Sequence, residues 1–452
     1  MYFEGEKLLI DEGTCIGCGI CARKAPEAIE IHNLPEELTR KPIHRYGENA
    51  FALYNLPVPL FGKVTGLLGR NGIGKSTAMK ILAGLIHPNF ESEEKGFAKL
   101  GKENENTSTV RDLINYFKGS EAQAYFEKLE KGEINISFKP QQVELIPRSF
   151  KGTVGELLTK VDEKNKIDFF VKRLELTHVL DRDITQVSGG ELQRVAIAAC
   201  LLKDANVYFL DEPTSYLDIK QRLNVAKLLR ELADENTAIM VIEHDLIVLD
   251  YLTDFVYLIY GKPSVYGIVS QIKATKKGIN TYLSGFMREE NVRFRDNAIT
   301  FEQGVEDEVV SIQKLVSWQP FEKELGEFHL QAGEGTIFRH DVVGVLGENG
   351  IGKTSFVKEL VAGDDGAADL EPNETITQLE LSFKPQYLQY DGEDIVQLVL
   401  EKAKKYELQL MRPLELEGLL NHQLKDLSGG ELQRVMIAKT LAEDAHLYVL
   451  DE

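Results

Sequence analysis

The 452-residue sequence predicts an α/β protein in which one strand–loop–helix unit occurs twice in tandem; the first copy carries a helix–loop–helix insertion and follows a short cysteine-bearing segment. Three repeated features carry this prediction. A glycine-rich loop of the form GxxxxGK[ST] occurs at 69–76 and 347–354, after apolar runs at 64–68 and 342–346 that suit buried strands. The string SerGlyGlyGluLeuGlnArg occurs at 188–194 and at 428–434. An Asp-Glu pair ends a further apolar run in each copy, Asp211-Glu212 and Asp451-Glu452, both 23 residues after the serine of that string. A repeat of this kind decides the architecture before any single element does.

Bulk composition sets the outer limits. The length suggests about three domains at one per ~150 residues, and 43% hydrophobic with 27% charged residues is ordinary for a globular protein. The most apolar stretch, 240–260, is interrupted by Glu243, His244, Asp245, Asp250 and Asp254, so no membrane span is expected. The first residues lack the apolar core of a signal peptide, and a cytoplasmic location is expected. A net charge of −20 excludes a generic nucleic-acid coat, though local basic patches could still dock on a nucleoprotein.

Residues 1–41 form the first segment. Cys15, Cys18 and Cys21 follow the spacing of a bacterial-type ferredoxin run, C-x2-C-x2-C-x3-C-P, with Pro26 in place and Ala25 where the fourth cysteine would stand. In two-cluster ferredoxins that fourth cysteine serves the other cluster, so its absence fits loss of a partner cluster. Two readings stand side by side: a relic loop without iron, or one iron–sulfur cluster completed by a non-cysteine ligand or left as a three-iron form. Cys200, the remaining cysteine, reads as a buried core residue.

The first unit covers 42–287. Its loop places Gly69, Asn71, Gly72, Gly74, Lys75, Ser76 and Thr77 where backbone N–H groups and a helix N-terminus can wrap phosphates. Lys75 supplies positive charge there, and Ser76 offers a hydroxyl to Mg²⁺. From loop to SerGlyGly runs 119 residues, against 81 in the second unit, and most of the excess lies before Gln141. An insertion is therefore expected at about 104–131. Leu113, Tyr116 and Phe117, then Ala124, Tyr125 and Leu129, have helical spacing around a break at Gly119-Ser120. It reads either as a decorated surface hairpin or as a docking element for a partner. Asp211 is placed to hold Mg²⁺, Glu212 to polarise an attacking water, and His244 to meet a γ-phosphate.

A mixed-charge linker spans 288–300, and the second unit covers 301–452. Its loop repeats the pattern with Gly347, Asn349, Gly350, Gly352, Lys353, Thr354 and Ser355. Asp451 and Glu452 stand where Asp211 and Glu212 stand in the first.

This set resembles the ATP-binding-cassette superfamily: phosphate loop, glutamine loop, SerGlyGlyGluLeuGlnArg signature, Asp-Glu strand end, SerTyrLeuAsp loop at 215–218, and switch His244. The resemblance implies two tandem ABC-type P-loop ATPase domains that close head to tail on two ATPs. It would group Lys75, Gln141, Asp211, Glu212 and His244 with Ser428, Gly429 and Gly430, and Lys353, Gln386, Asp451 and Glu452 with Ser188, Gly189 and Gly190. Asp218 would join the nucleotide contacts. Gln141 and Gln386 would join Ser76, Asp211, Thr354 and Asp451 around Mg²⁺.

Ferredoxin-like cysteines ahead of twin cassettes resemble one family within it, the ribosome-recycling ATPases of archaea and eukaryotes (RNase L inhibitor, ABC subfamily E). The strings at 33–38, 44–51, 116–126, 243–252 and 260–267, and the linker ending PheArgAsp, are similar to that family along the whole chain. Residues 1–41 would then be a partial ferredoxin-like Fe–S segment. Tyr46 and Phe51 would flank the first adenine, with Phe328 a candidate for the second. The implied partners are the small ribosomal subunit and its rRNA, and a release factor or its surveillance relative, with no membrane. The implied activity is ATP-driven ribosome splitting. Departures from the pattern are the missing N-terminal half of the ferredoxin domain and an end at Glu452, before a second switch histidine, so the chain reads as a fragment at its C-terminus. Two rivals remain: a ribosome-docking ATP clamp with little turnover, and the ATPase subunit of an ABC transporter.

Overall fold

The computed structural model describes residues 2–4, 7–9, 24, 38, 41–47, 50–90, 110–295, 297–300, 313–326, 328–348, 350–362, 368–369, 380–385, 394–427 and 429–451. These form two compact units, Met1–Glu302 and Gln303–Glu452. Cys15, Cys18, Cys21, Asn349, Gln386, Ser428 and Glu452 lie outside the described residues.

The first unit begins with a hairpin of β1 (Tyr2–Glu4) and β2 (Lys7–Leu9). Among the described residues its main sheet has nine strands. Along it lie β3 (His44–Arg45), β4 (Ala52–Tyr54), β10 (Tyr266–Val269), β9 (Phe255–Lys262), β5 (Val64–Gly69), β8 (Ala238–Ile242), β7 (Val207–Asp211) and β6 (Ile136–Lys139), with Lys273–Ala274 paired to β9. β9, β5, β8, β7 and β6 all run parallel, while β9–β10 and β3–β4 are antiparallel. The central strands β7, β8 and β9 are largely apolar because both faces are covered. Along β7, Tyr208 and Leu210 enter one core cluster and Val207 and Phe209 the other; Ile239 and Val241 of β8 divide from Ala238, Met240 and Ile242 in the same way.

On one face packs α1 (Lys75–Leu82) with the insertion, α2 (Val110–Tyr116) and α3 (Glu121–Glu130). The expected break is present: Gly119 takes φ 85°, and Ser120 stands at the N-cap position of α3 with its hydroxyl donating back to Phe117 O at 2.7 Å. Leu113, Phe117, Ala122, Tyr125 and Phe126 are buried, with the Phe117 and Phe126 rings stacked at 5.9 Å. The expected face needs two corrections. Tyr116 and Ala124 are exposed, because Leu113 and Phe117 turn inward in the first helix region and Ala122 and Phe126 in α3. On the other face lies α4 (Gly189–Leu201), opened by a capping box in which Ser188 and Glu191 exchange hydrogen bonds.

The second unit departs from expectation at its phosphate-loop strand. Residues 342–346 form no strand, and Val342 and Leu346 are 100% and 84% exposed. In the first unit the corresponding β5 is held by ladders from β8 and β9 on either side. Among the described residues no strand lies beside 342–346, so the apolar run has no ladder partner. What does form is the parallel pair Leu381–Lys384 with Leu447–Leu450, the helices Lys353–Ala362 and Gly429–Leu441, and a core of Val396, Leu400, Leu416, Leu424 and Val435.

Candidate nucleotide site

Parallel pairing brings the carboxyl ends of β5, β6, β7 and β8 to one edge of the sheet, where ligands of such sheets bind. β5 runs into the phosphate loop. There Gly72 and Gly74 take φ 70° and 95°, a backbone shape that favours glycine. A Cβ on Gly74 would lie 2.5 Å from Phe51 Cζ, so the aromatic ring braces the loop from below. Lys75 curls into it and donates to the carbonyl oxygens of Gly69 and Arg70, both at 2.8 Å, and to Asn71 Oδ1 at 3.4 Å. Burial pushes the Lys75 ammonium down to about 8, against the pull of Glu212 and Asp211. Such a group favours an incoming anion.

Asp211 is buried at the end of β7, and burial raises its carboxyl above the ordinary value, with the Glu212 charge adding to the rise and the Ser76 hydrogen bond opposing it. Its Oδ1 is buried without a hydrogen-bond partner. The second unit repeats the arrangement: Thr354 Oγ1 donates to Asp451 Oδ1 at 3.1 Å, and Asp451 Oδ2 is buried without a partner. An orphaned carboxylate oxygen beside a hydroxyl, in both units, fits a bound divalent cation such as Mg²⁺. Lys353 repeats the Lys75 pattern, donating to Gly347 and Glu348 oxygens at 2.8 and 3.0 Å.

Glu212 collects the most partners. His244 Nε2 lies 3.2 Å from its Oε1, Gln141 Nε2 donates to the same oxygen at 2.9 Å, and Ser215 Oγ donates to Oε2 at 3.1 Å. The His244 hydrogen bond is the main cause that lowers the Glu212 carboxyl to about 2, partly offset by burial. Gln141, Glu212 and His244, expected together from sequence, are together. Tyr46 stands over the first turn of α1, its hydroxyl 3.1 Å from Thr77 Oγ1 and its ring 6.5 Å from that of Phe51. In the second unit a Cβ on Gly352 would lie 2.9 Å from Phe328 Cζ, so Phe328 braces its loop as Phe51 does the first. Asp218 serves as the N-cap of α5 (Ile219–Leu232), accepting from Gln221 N at 2.8 Å. Cys200 is buried as expected, its thiol pushed up to about 11 by burial.

An ABC transporter family model matches residues 60–215 and 330–452. An uncharacterized ABC transporter ATP-binding protein of Methanocaldococcus jannaschii is 47% identical over 99% of this chain and 72% of its own length. The ABC transporter E family member 1 of Arabidopsis thaliana is 41% identical over 98% of this chain and 73% of its own. The chain belongs to ABC subfamily E, the RNase L inhibitor family. Among solved structures it superposes with TM-score 0.82 on a crystal structure of archaeal ribosome recycling factor aABCE1 in complex with ribosomal stalk protein aP1, at 46% identity over 93% of this chain and 78% of that one. A model of ribosome-bound archaeal Pelota and ABCE1 gives TM-score 0.81 at 47% identity, over 98% of this chain and 73% of that one. The two units of this subfamily E chain are thus ABC-type ATPase domains.

Three residues of this subfamily E site escaped the sequence reading. Lys139 is buried and donates to the carbonyl oxygens of Asp211 at 2.8 Å and Glu212 at 3.2 Å. Gln193, fully buried on α4, donates to the Glu212 carbonyl at 2.6 Å. Lys384 is buried in the second unit and donates to the Asp451 carbonyl at 3.3 Å. A signal was available: SerPheLysProGln stands at both 137–141 and 382–386. A lysine between apolar residues reads as exposed unless that repeat is noticed.

Proposed function

We propose that this chain is an ATP-driven factor that binds the small ribosomal subunit and splits ribosomes after termination, with ATP binding closing it and hydrolysis resetting it. The supporting observation is the Gln141–Glu212–His244 cluster beside a buried Asp211, in a chain whose relatives include the translation initiation factor RLI1 of Saccharomyces cerevisiae at 42% identity. A release factor, or a surveillance relative such as Pelota, would act with it on the ribosome. A factor acting on ribosomes in this way would work in the cytoplasm. Among the described residues no helix is long and apolar enough to cross a membrane.

In this reading Lys75 and the loop N–H groups hold the β- and γ-phosphates, with Tyr46 and Phe51 on the adenine. Ser76, Asp211 and Gln141 hold Mg²⁺ in the first unit, and Thr354, Asp451 and Gln386 in the second. Bound Mg²⁺ neutralises phosphate charge. Glu212, kept ionised by His244, would orient and polarise the attacking water, and His244 would meet the γ-phosphate. Glu452 would serve the second site in the same way, and Ser188–Gly190 and Ser428–Gly430 would be signature contacts to nucleotide. Cys15, Cys18 and Cys21 would carry an iron–sulfur cluster, a reading that rests on their spacing alone and that iron and sulfide analysis decides.

A density-gradient assay tests the whole. Ribosomes incubated with the protein, ATP and a release factor should separate into subunits, and ribosomes that stay intact under those conditions would refute the proposal.

A further inference from the structure

We propose that Lys139 and Gln193 are positioning residues for Glu212, gripping its main-chain carbonyl oxygen from two separate elements and so aiming its carboxylate at the site. The inference rests on the reading of Glu212 as the group that polarises water. Glu212 holds φ 47°, a left-handed conformation that a non-glycine residue keeps only when its surroundings impose it. Three tethers impose it here. Glu212 N donates to Ile242 O at 3.0 Å, Gln193 Nε2 donates to Glu212 O at 2.6 Å, and Lys139 Nζ donates to Glu212 O at 3.2 Å and Asp211 O at 2.8 Å.

The two side chains are poor choices for stability alone. Lys139 is 1% exposed and spends its ammonium on neutral carbonyl oxygens, at a desolvation cost that lowers its basicity. Gln193 is fully buried with its own Oε1 lacking a partner. What they achieve is placement. Lys139 ends β6, two residues before Gln141, whose amide holds the Glu212 carboxylate from the other side. Gln193 lies on α4, three residues after Gly190 of the signature string. A shift of either element therefore moves the Glu212 carbonyl and swings its carboxylate. In the second unit Lys384 donates to the Asp451 carbonyl, the counterpart of the Lys139 bond to the Asp211 carbonyl.

The test is steady-state ATP hydrolysis and ATP affinity for Lys139→Met, Gln193→Leu, Glu212→Gln and the double variant Lys139→Met/Glu212→Gln. Each positioning variant should lower kcat by about tenfold to a hundredfold with ATP affinity within about twofold, because a small misplacement costs the chemistry more than the binding. In the double variant Lys139→Met should add no loss beyond Glu212→Gln, since its effect passes through that carboxylate. Should Lys139→Met not fold, Lys139→Arg, which keeps the charge but not the fit, should show the same loss of kcat at unchanged affinity. Multiplying losses in the double variant, or a fall in affinity that matches the fall in kcat, would mean a merely structural role. Full kcat in the positioning variants beside a lowered kcat in Glu212→Gln overturns this proposal alone. Hydrolysis undiminished in Glu212→Gln overturns the reading of Glu212 and this proposal with it.

Discussion

His244 Nε2 and Glu212 Oε1 face each other across 3.2 Å, at the carboxyl ends of neighbouring parallel strands β8 and β7. The pair sets the charge state of the site. Glu212 drops from 4.5 to about 2, with the His244 hydrogen bond the leading cause. A depressed carboxyl contributes stability that is complete above about 4.5 and is lost as pH falls towards about 2. His244→Ala should therefore move the Glu212 titration back towards 4.5, seen by NMR of the labelled carboxyl, and lower hydrolysis by about a hundredfold. An unmoved titration would assign the shift to another neighbour.

Lys75 offers a second readout. Its ammonium sits at about 8 in the ATP-free protein, lowered from 10.5 by burial, and Lys139 sits at about 8 for the same reason. Both groups make the ATP-free fold gain stability as pH rises from about 8 to 10.5. Phosphate beside Lys75 restores its charge. Calorimetry of ATP binding in buffers of different ionisation heat, run near the alkaline end of that window, should show net proton uptake. The uptake should fade at neutral pH, where the lysines are already charged.

Gly74→Ala should damage binding more than its size suggests. The residue takes φ 95°, and the new methyl group would meet the Phe51 ring at 2.5 Å. ATP affinity should fall by about tenfold or more, which fluorescent-nucleotide titration checks.

The insertion is part of the core rather than an ornament. Tyr125 OH donates to Leu82 O at 3.0 Å, tying α3 to the last turn of α1, and the Phe126 side chain is fully buried. Phe126→Ala should cost about 3–5 kcal/mol and Tyr125→Phe about 1–2 kcal/mol, measured by denaturant unfolding. Both substitutions should leave ATP affinity unchanged, since neither side chain reaches the phosphate loop.

Legibility followed the kind of constraint on each residue. The phosphate loops, signature strings and Asp-Glu pairs were readable because backbone shape and charge allow few residue types there, and each occurs twice. The insertion is readable from length difference and helical spacing, although Tyr116 and Ala124 fall on the exposed side, since two short turns of apolar residues leave the phase of a helix loosely defined. The run at 342–346 was read as a strand and is not one: apolar composition reports a wish for burial, while the strand itself depends on ladder partners elsewhere in the chain. Lys139 and Gln193 were passed over because a buried polar residue bonded to main-chain oxygens looks, in sequence, like any solvated one.

The central claim is that hydrolysis at the first site, through Glu212, releases the protein from the small ribosomal subunit. Co-sedimentation of Glu212→Gln with small subunits, in ATP and in ADP, tests it most directly. The account predicts that the variant binds ATP normally and stays on the subunit in ATP while the unaltered protein is released. Equal sedimentation of the two proteins in ATP would contradict it.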